Sequence, residues 1–299
     1  MPPGSRLSRS PTTTRDDPTS ILEPEELGAR KDELANALRE ARRSAGLTGE
    51  RLAARCGISQ SKISKIETGK ILPTPTDVER ILRALGTRQD LTEDLLALAR
   101  LANTEFQTTR ADMRRGLYRK QRELAALEAE ARHIRFFLPT MITGLLQTPE
   151  YARASLGVFP GDQSQAIAKR LDRQATLYNR AKHFSFILTE AAVRWQLVEP
   201  AVMAVQLGRL ASLSELPNIR LGIIPLTAQV PDGPLNTFTV YDERIATAET
   251  FGGVIMMRDP RDVAYHLELF AFFERYALFD DDARMLLDQY VTHFRQASL

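Results

Sequence analysis

Residues 38–86 read LREARRSAGLTGERLAARCGISQSKISKIETGKILPTPTDVERILRALG. Glycines and capping residues punctuate this stretch at intervals that suit short helices. Leu34, Leu38 and Ala41 continue a helical spacing begun at Leu27, and Gly46 stops it. Thr48 is placed to cap a second helix that turns Leu52 and Ala53 inward as far as Gly57, and Ser59 to cap a third. In that third helix Ile63 and Ile66 share one face, while Gln60, Ser61, Lys62 and Lys65 occupy the other. Thr74-Pro75-Thr76-Asp77 reads as a capping box with proline at the first helical position, opening a helix through Val78, Ile81, Leu82 and Leu85. A fifth amphipathic helix is expected over 91–102. A short helix, a glycine turn and a second short helix docked by two isoleucines make a helix-turn-helix. The exposed face of its second helix fits a DNA major groove, which is wide enough for one α-helix.

The candidate base readers follow from that placement. Gln60 and Ser61 sit in the N-terminal turn of the recognition helix, where side chains reach base edges. A glutamine bonds adenine with two hydrogen bonds, Lys62 and Lys65 reach guanine acceptors or phosphates, and the short Ser61 reaches less far.

These residues resemble the xenobiotic-response-element or lambda-repressor-type helix-turn-helix family. The likeness runs through Arg42 with Gly46-Leu47-Thr48, then Leu52-Ala53, then Gly57-Ile58-Ser59, Ser61, Ile63-Ser64, Ile66-Glu67 and Gly69, and closes on Pro75, Ile81-Leu82 and Leu85-Gly86. The resemblance implies that Arg42 pairs with Glu67 as an internal clamp. It also implies that the amides of Thr48 and Gly49, together with Thr68 and Lys70, meet DNA phosphates. Gly49 stands where family members often carry a polar side chain, so a contact there is made by backbone alone.

Composition bounds the rest. With 299 residues, 43% hydrophobic and 26% charged, the chain has material for more than one core. The net charge of +2 is unevenly spread. Residues 28–86 carry twelve Lys/Arg against seven Asp/Glu, and 100–135 carry nine against five, whereas 136–299 carry fifteen against eighteen. A favourable phosphate-binding term is therefore local to the first half. The single cysteine, Cys56, excludes an intrachain disulfide framework and a cysteine zinc cluster, and reads as a small buried apolar residue. Absence of an 18-residue apolar run, with Pro2, Pro3 and Pro11 where a secretory signal needs an apolar core, leads to the expectation of a cytoplasmic protein with no membrane segment.

Four segments are expected. Residues 1–24, with five prolines, read as a disordered arm whose Arg6, Arg9 and Arg15 are available to phosphates. Residues 25–106 form the helix-turn-helix domain and 107–138 a helical linker, in which Leu124, Leu127, Ala131, Ile134 and Leu138 make a packing seam onto the C-terminal domain. Residues 139–299 form an α+β regulatory or partner-binding domain with a largely antiparallel sheet. Its strands are placed at 184–189, 219–226, 237–241, 245–250 and 254–257, and its helices at 163–181, 200–216, 260–277 and 280–297. The fold class is thus multi-domain, all-α followed by α+β.

Phrases in the second half resemble the C-terminal domain of actinobacterial WhiJ-like regulators, some of them antitoxin-like. They are Leu127 to Ala131, Ile134 to Pro139, Gly144 to Arg153, and Gln206-Leu207 running to Leu216 through Leu221. Thr143 departs from a proline usual before Gly144, and 231–257 matches weakly. The resemblance implies a repressor-like factor controlled at this domain by a small partner protein encoded nearby. Control by a small molecule is the alternative, with Phe184, Phe186, Trp195, Phe238, Tyr241, Phe251, Met256 and Met257 as aromatic and sulfur-bearing candidates for an effector pocket. Gly144 to Arg153 itself is explained as a capped turn before a helix with Thr148 as its cap and Pro149 at its first position.

Enzyme chemistry finds little support in the residues. There is no G-x-S-x-G, and His133, His183, His266 and His293 stand alone, without metal-ligand spacing. Asp280 to Asp282 precede a helical segment, where carboxylates favour the positive end of the dipole. No catalytic residue, metal or cofactor is expected. One small recognition helix buries little area, so the expected complex is a homodimer on a pseudo-palindromic double-stranded operator, its recognition helices roughly 34 Å apart.

Overall fold

The computed structural model describes residues 24–298, with side chains from residue 30 onward. The proline-rich arm, apart from Pro24, lies outside the described residues. Five helices come first: α1 (Pro24–Ser44), α2 (Gly49–Cys56), α3 (Gln60–Glu67), α4 (Pro75–Leu85) and α5 (Gln89–Asn103). The capping residues act where their chemistry requires. Thr48 Oγ1 accepts from the Arg51 amide and Ser59 Oγ from the Lys62 amide, each at 3.2 Å. Thr74 and Asp77 satisfy one another's amides, at 3.1 and 3.3 Å. Leu34, Leu38, Leu52, Ile63, Ile66 and Ile81 meet in one core, and each is at most 2% exposed. Between α2 and α3 the chain turns at Gly57 with φ +62°, and a Cβ there would lie 2.8 Å from Arg80 Nη2, which donates to the Gly57 carbonyl at 3.0 Å.

The second part is a seven-stranded mixed sheet in the order β1-β7-β6-β5-β2-β3-β4, with β1 (Thr104–Thr108), β2 (His133–Leu138), β3 (His183–Thr189), β4 (Ile219–Ile224), β5 (Thr237–Tyr241), β6 (Ile245–Thr250) and β7 (Gly253–Met257). Strands β2, β3 and β4 run parallel, and the other four pairings are antiparallel. One face packs Phe136, Phe184, Phe186 and Leu221 against α8 (Pro149–Gly157), α11 (Pro200–Ser214) and α13 (Asp280–Gln296). The opposite face packs Phe137 and Phe238 against Phe270 and Phe273 of α12 (Pro260–Glu274), with the Phe137 and Phe273 rings stacked 4.2 Å apart. The remaining helices are α6 (Thr109–Arg115), α7 (Leu117–Glu130), α9 (Ser164–Arg173), continued by a 3-10 turn over Gln174–Tyr178, and α10 (Glu190–Arg194).

An all-helical region followed by a largely antiparallel sheet is the fold class read from the sequence, and all five expected strands are present. Two strands were missed. The stretch read as a helical linker breaks at Gly116, whose φ of +89° is closed to most residues, and ends at Ala131. Ile134 and Leu138, read as helical seam residues, belong to β2 at the heart of the sheet, because the β-branched and aromatic run Ile134 to Leu138 is buried on both faces. Strand β1 follows α5 without a gap and pairs along its whole length with β7. The sheet therefore recruits strands from both sides of residue 107.

Helix α7 is held to the sheet domain by a buried ion pair. Arg173 Nε donates to Glu128 at 3.0 Å, and a second guanidinium nitrogen binds the same carboxylate. Lys182 Nζ donates to the carbonyls of Ala129 and Ala131, at 2.7 and 2.6 Å, so a cation closes the negative end of the helix. No helix among the described residues is long and apolar enough to cross a membrane.

Candidate nucleic-acid interface

Helix α3 presents two opposed faces. Ile63 and Ile66 are 1% and 0% exposed, whereas Gln60, Ser61, Ser64, Lys65 and Thr68 form an exposed stripe at the one- and four-residue steps of a helix surface. The side chains of Gln60, Ser61 and Lys65 have no hydrogen-bond or ion-pair partner among the described residues. Ser64 lies four residues after Gln60 on this stripe; sequence reasoning passed over it although the same spacing marks it.

The other named residues divide into engaged and open groups. Arg42 donates to Glu67 through Nε at 2.6 Å and Nη2 at 2.8 Å, while its Nη1 reaches the Leu47 carbonyl at 2.8 Å. This two-pronged contact ties α1, the α1–α2 turn and the end of α3 together, and the carboxylate raises the guanidinium's already high pKa. Lys62 turns away from the stripe, because its ammonium lies 2.9 Å from the Asp77 carboxylate of α4. Thr68 donates its hydroxyl to the Ser64 carbonyl at 2.8 Å. The Lys70 amide is bonded to the Lys65 carbonyl, also at 2.8 Å, while its side chain is exposed. The amides of Thr48 and Gly49 bond no acceptor among the described residues, and the space beyond Gly49 is open. Unpaired amides at the start of a helix are fitted to an anion.

The aromatic candidates for an effector pocket do not converge. Phe184, Phe186, Phe238 and Tyr241 are buried core residues, at most 4% exposed. Trp195 and Phe251 stand in solvent, and Met256 borders a cavity beneath α7.

The capped bihelical unit and its open stripe define a DNA-binding helix-turn-helix protein of the kind used in transcription regulation, joined to an α+β domain. Residues 33–95 match the model of a helix-turn-helix domain. Residues 121–289, more than half the chain, match the model described as a domain of unknown function (DUF5753), and the chain belongs to that family. No curated protein matches it. Among solved structures, NucT from Helicobacter pylori is similar at 9% identity and a TM-score of 0.37, over 59% of this chain and 98% of that one. Nuc from Salmonella typhimurium, a phospholipase D family member, gives 9% and 0.33 over 53% and 90%. TrmBL2, an archaeal chromatin protein with a novel mode of DNA binding, gives 15% and 0.29 over 68% and 66%.

Proposed function

We propose that this protein is a sequence-specific transcriptional regulator that binds a pseudo-palindromic operator as a homodimer and is controlled through its C-terminal domain. The observation that carries the reading is the stripe on α3: polar side chains held outward by two buried isoleucines, with Gln60, Ser61 and Lys65 having no partner among the described residues. In this reading Gln60 and Lys65 read base edges, with Ser61 and Ser64 as shorter readers and Lys62 divided between DNA and Asp77. Phosphates are met by the amides of Thr48 and Gly49 and by the Lys70 ammonium, with Thr68 at the edge of the contact. Arg42 and Glu67 hold the unit together and touch no base.

The helices up to Asn103 serve as the DNA-binding part and the sheet domain, which begins with β1 and includes α7 and β2, as the regulatory part, so 107–138 belongs to that domain and is no separate linker; the controlling partner is a small protein as in WhiJ-like regulators. Trp195, 65% exposed at the end of α10, supports a protein contact on that domain. A small-molecule signal is favoured by a different feature, the cavity beneath α7.

Selection of bound duplexes from a random pool, followed by anisotropy titration at two salt concentrations, tests the proposal. A two-fold-symmetric consensus whose half-sites are one helical turn apart is expected, with specific binding roughly 10³-fold or more tighter than to unrelated duplex. Enrichment of no consensus would refute sequence-specific reading, and sedimentation as a monomer both free and on DNA would refute the dimer.

A further inference from the structure

Helix α7 roofs the β6–β7–β1 end of the sheet without filling the space beneath it. A cavity of about 300 Å³ remains. Strand register fixes its floor: Glu105, Met256 and Thr247 lie in one lateral row, and Gln107, Val254 and Glu249 in the next. Lys120, Glu123, Leu124, Leu127 and Glu130, spaced three or four residues apart along α7, supply the roof. Leu127 therefore does pack against the core of the C-terminal domain, while Leu124 faces it across the opening.

The polar groups around this space are unevenly satisfied. Glu105 pairs with Arg258 at 3.3 Å and accepts from Gln107, and Lys120 pairs with Asp112 at 3.2 Å. Both lining cations are thereby neutralised. Glu123, Glu130 and Glu249 are exposed on the cavity rim and have no ion-pair or hydrogen-bond partner among the described residues; Arg115 and Lys120 act on Glu123, and Arg170 on Glu249, only from a distance. Thr247 on the floor is only 4% exposed, and its hydroxyl also has no partner. The hydroxyl keeps some accessible surface on the cavity side, so it is free to bond a group that enters there. Leu124, Ala126, Leu127, Val254 and Met256 make the remainder of the lining apolar.

We infer that this cavity binds an organic cation with an apolar body, its charged nitrogen drawn to the acidic rim made by Glu123, Glu130 and Glu249 and its body resting on the leucines of α7. At about 300 Å³ the space lies at the small end of ligand pockets, which suits an arylalkylamine. The floor also communicates with the DNA-binding helices. β1 continues α5 directly, and the Arg258 amide donates to the carbonyl of Asn103, the last residue of α5, at 3.1 Å. A ligand that prefers one seating of these strands shifts the DNA-binding helices with it. That last step rests on the regulator reading above; the binding site does not.

Calorimetric titration of the full chain with 4-phenylbutylamine and tryptamine tests the site, with 4-phenylbutanol and 4-phenylbutanoate as neutral and anionic matches. One-site binding of an amine is expected, about tenfold or more tighter than the alcohol, with the carboxylate silent. Glu123→Gln combined with Glu249→Gln should weaken the amine about tenfold without lowering the melting temperature, and Thr247→Val should weaken it less. Silence of both amines, equal binding of amine and alcohol, or an unchanged affinity in the double variant each overturns the proposal. Anisotropy with the selected duplex separates the two readings. Amine binding without DNA binding would remove the regulator and leave the site, whereas DNA binding without amine binding would do the reverse.

Discussion

The side-chain amide of Asn103, the last residue of α5, donates to the carbonyl of Pro73, in the turn that leads into α4, at 2.9 Å. The same nitrogen bonds the Ala99 carbonyl at 2.8 Å, and the residue is 2% exposed. One buried carboxamide thus joins the end of the helical domain to the capped start of α4, while the backbone carbonyl of the same residue accepts from the Arg258 amide, just past the end of β7. Asn103→Ala leaves the Pro73 carbonyl buried and unpaired, so a loss of about 1–3 kcal/mol is expected. Asn103→Asp should lose more, because an acceptor then faces two carbonyls. Thermal unfolding of both variants checks the order; an Asp variant as stable as the Ala variant would contradict it.

Arg42 and Glu67 make a second such tie, and here the fork geometry matters. Arg42→Ala should lower stability by about 1.5–3 kcal/mol, as for hydrogen bonds to a charged group. Arg42→Lys keeps the charge but loses the paired contact, and should recover only part of the loss. Denaturant melts report this directly, and a lysine variant indistinguishable from the native chain would show that charge alone suffices.

Gln60, Lys65, Lys62 and Lys70 should separate by behaviour on DNA. Alanine at Gln60 or Lys65 is expected to cost about 1–3 kcal/mol on the best operator and little on unrelated duplex. Alanine at Lys70 should weaken all sequences alike and lower the salt slope by about 0.9. Lys62, committed to Asp77, should cost less discrimination than Lys65, together with a stability loss of about 0.2–1 kcal/mol typical of a part-exposed pair. Equal losses on all duplexes from all four variants would dissolve these assignments.

What sequence could reveal follows the range of the interaction. Thr48, Ser59 and the Thr74–Asp77 box act on amides three residues away, so their spacing alone locates α2, α3 and α4. The outward stripe of α3 was legible for the same reason, as a period. The Lys62–Asp77 pair spans fifteen residues and depends on how α3 and α4 cross, which no local pattern records. Strand β1 carries a single large apolar residue, Phe106, in Thr-Glu-Phe-Gln-Thr, and exists because β7 pairs with it from some 150 residues away. Strand β2 was masked differently: Ile134 and Leu138 extend by chance the three- and four-residue steps of Leu124 and Leu127, so helical period outweighed β-branched composition.

Gly253 shows how tightly that distant pairing is made. Its φ is +156°, and a Cβ there would fall 2.1 Å from the Gln107 carbonyl oxygen of β1. Backbone, unlike the end of a side chain, cannot move aside without breaking the ladder. Gly253→Ala should therefore loosen β1 from β7, and amide hydrogen exchange over 104–108 is expected to rise while exchange in β2 and β3 stays slow. Unchanged protection of β1 would mean that the pairing tolerates a side chain there.

Glu123, on the cavity side of α7, gives a pH-dependent test. Partial burial raises its pKa above the ordinary carboxylate value, and Asp112 and Glu105 push the same way against the opposing pull of Arg115 and Lys120. A carboxyl whose pKa is raised on folding holds its proton more tightly in the native state than in the unfolded one. Below the carboxylate range both states are protonated, so Glu123→Gln and the native chain should melt at similar temperatures. As pH rises through that range the native chain must carry an unfavourable charge that the glutamine lacks, and the glutamine variant should become the more stable of the two. The gap should open between acid and neutral pH and then stay constant. A variant that melts lower at neutral pH would instead show that the carboxylate already has a favourable partner, and would remove one of the three negative charges left for a bound cation.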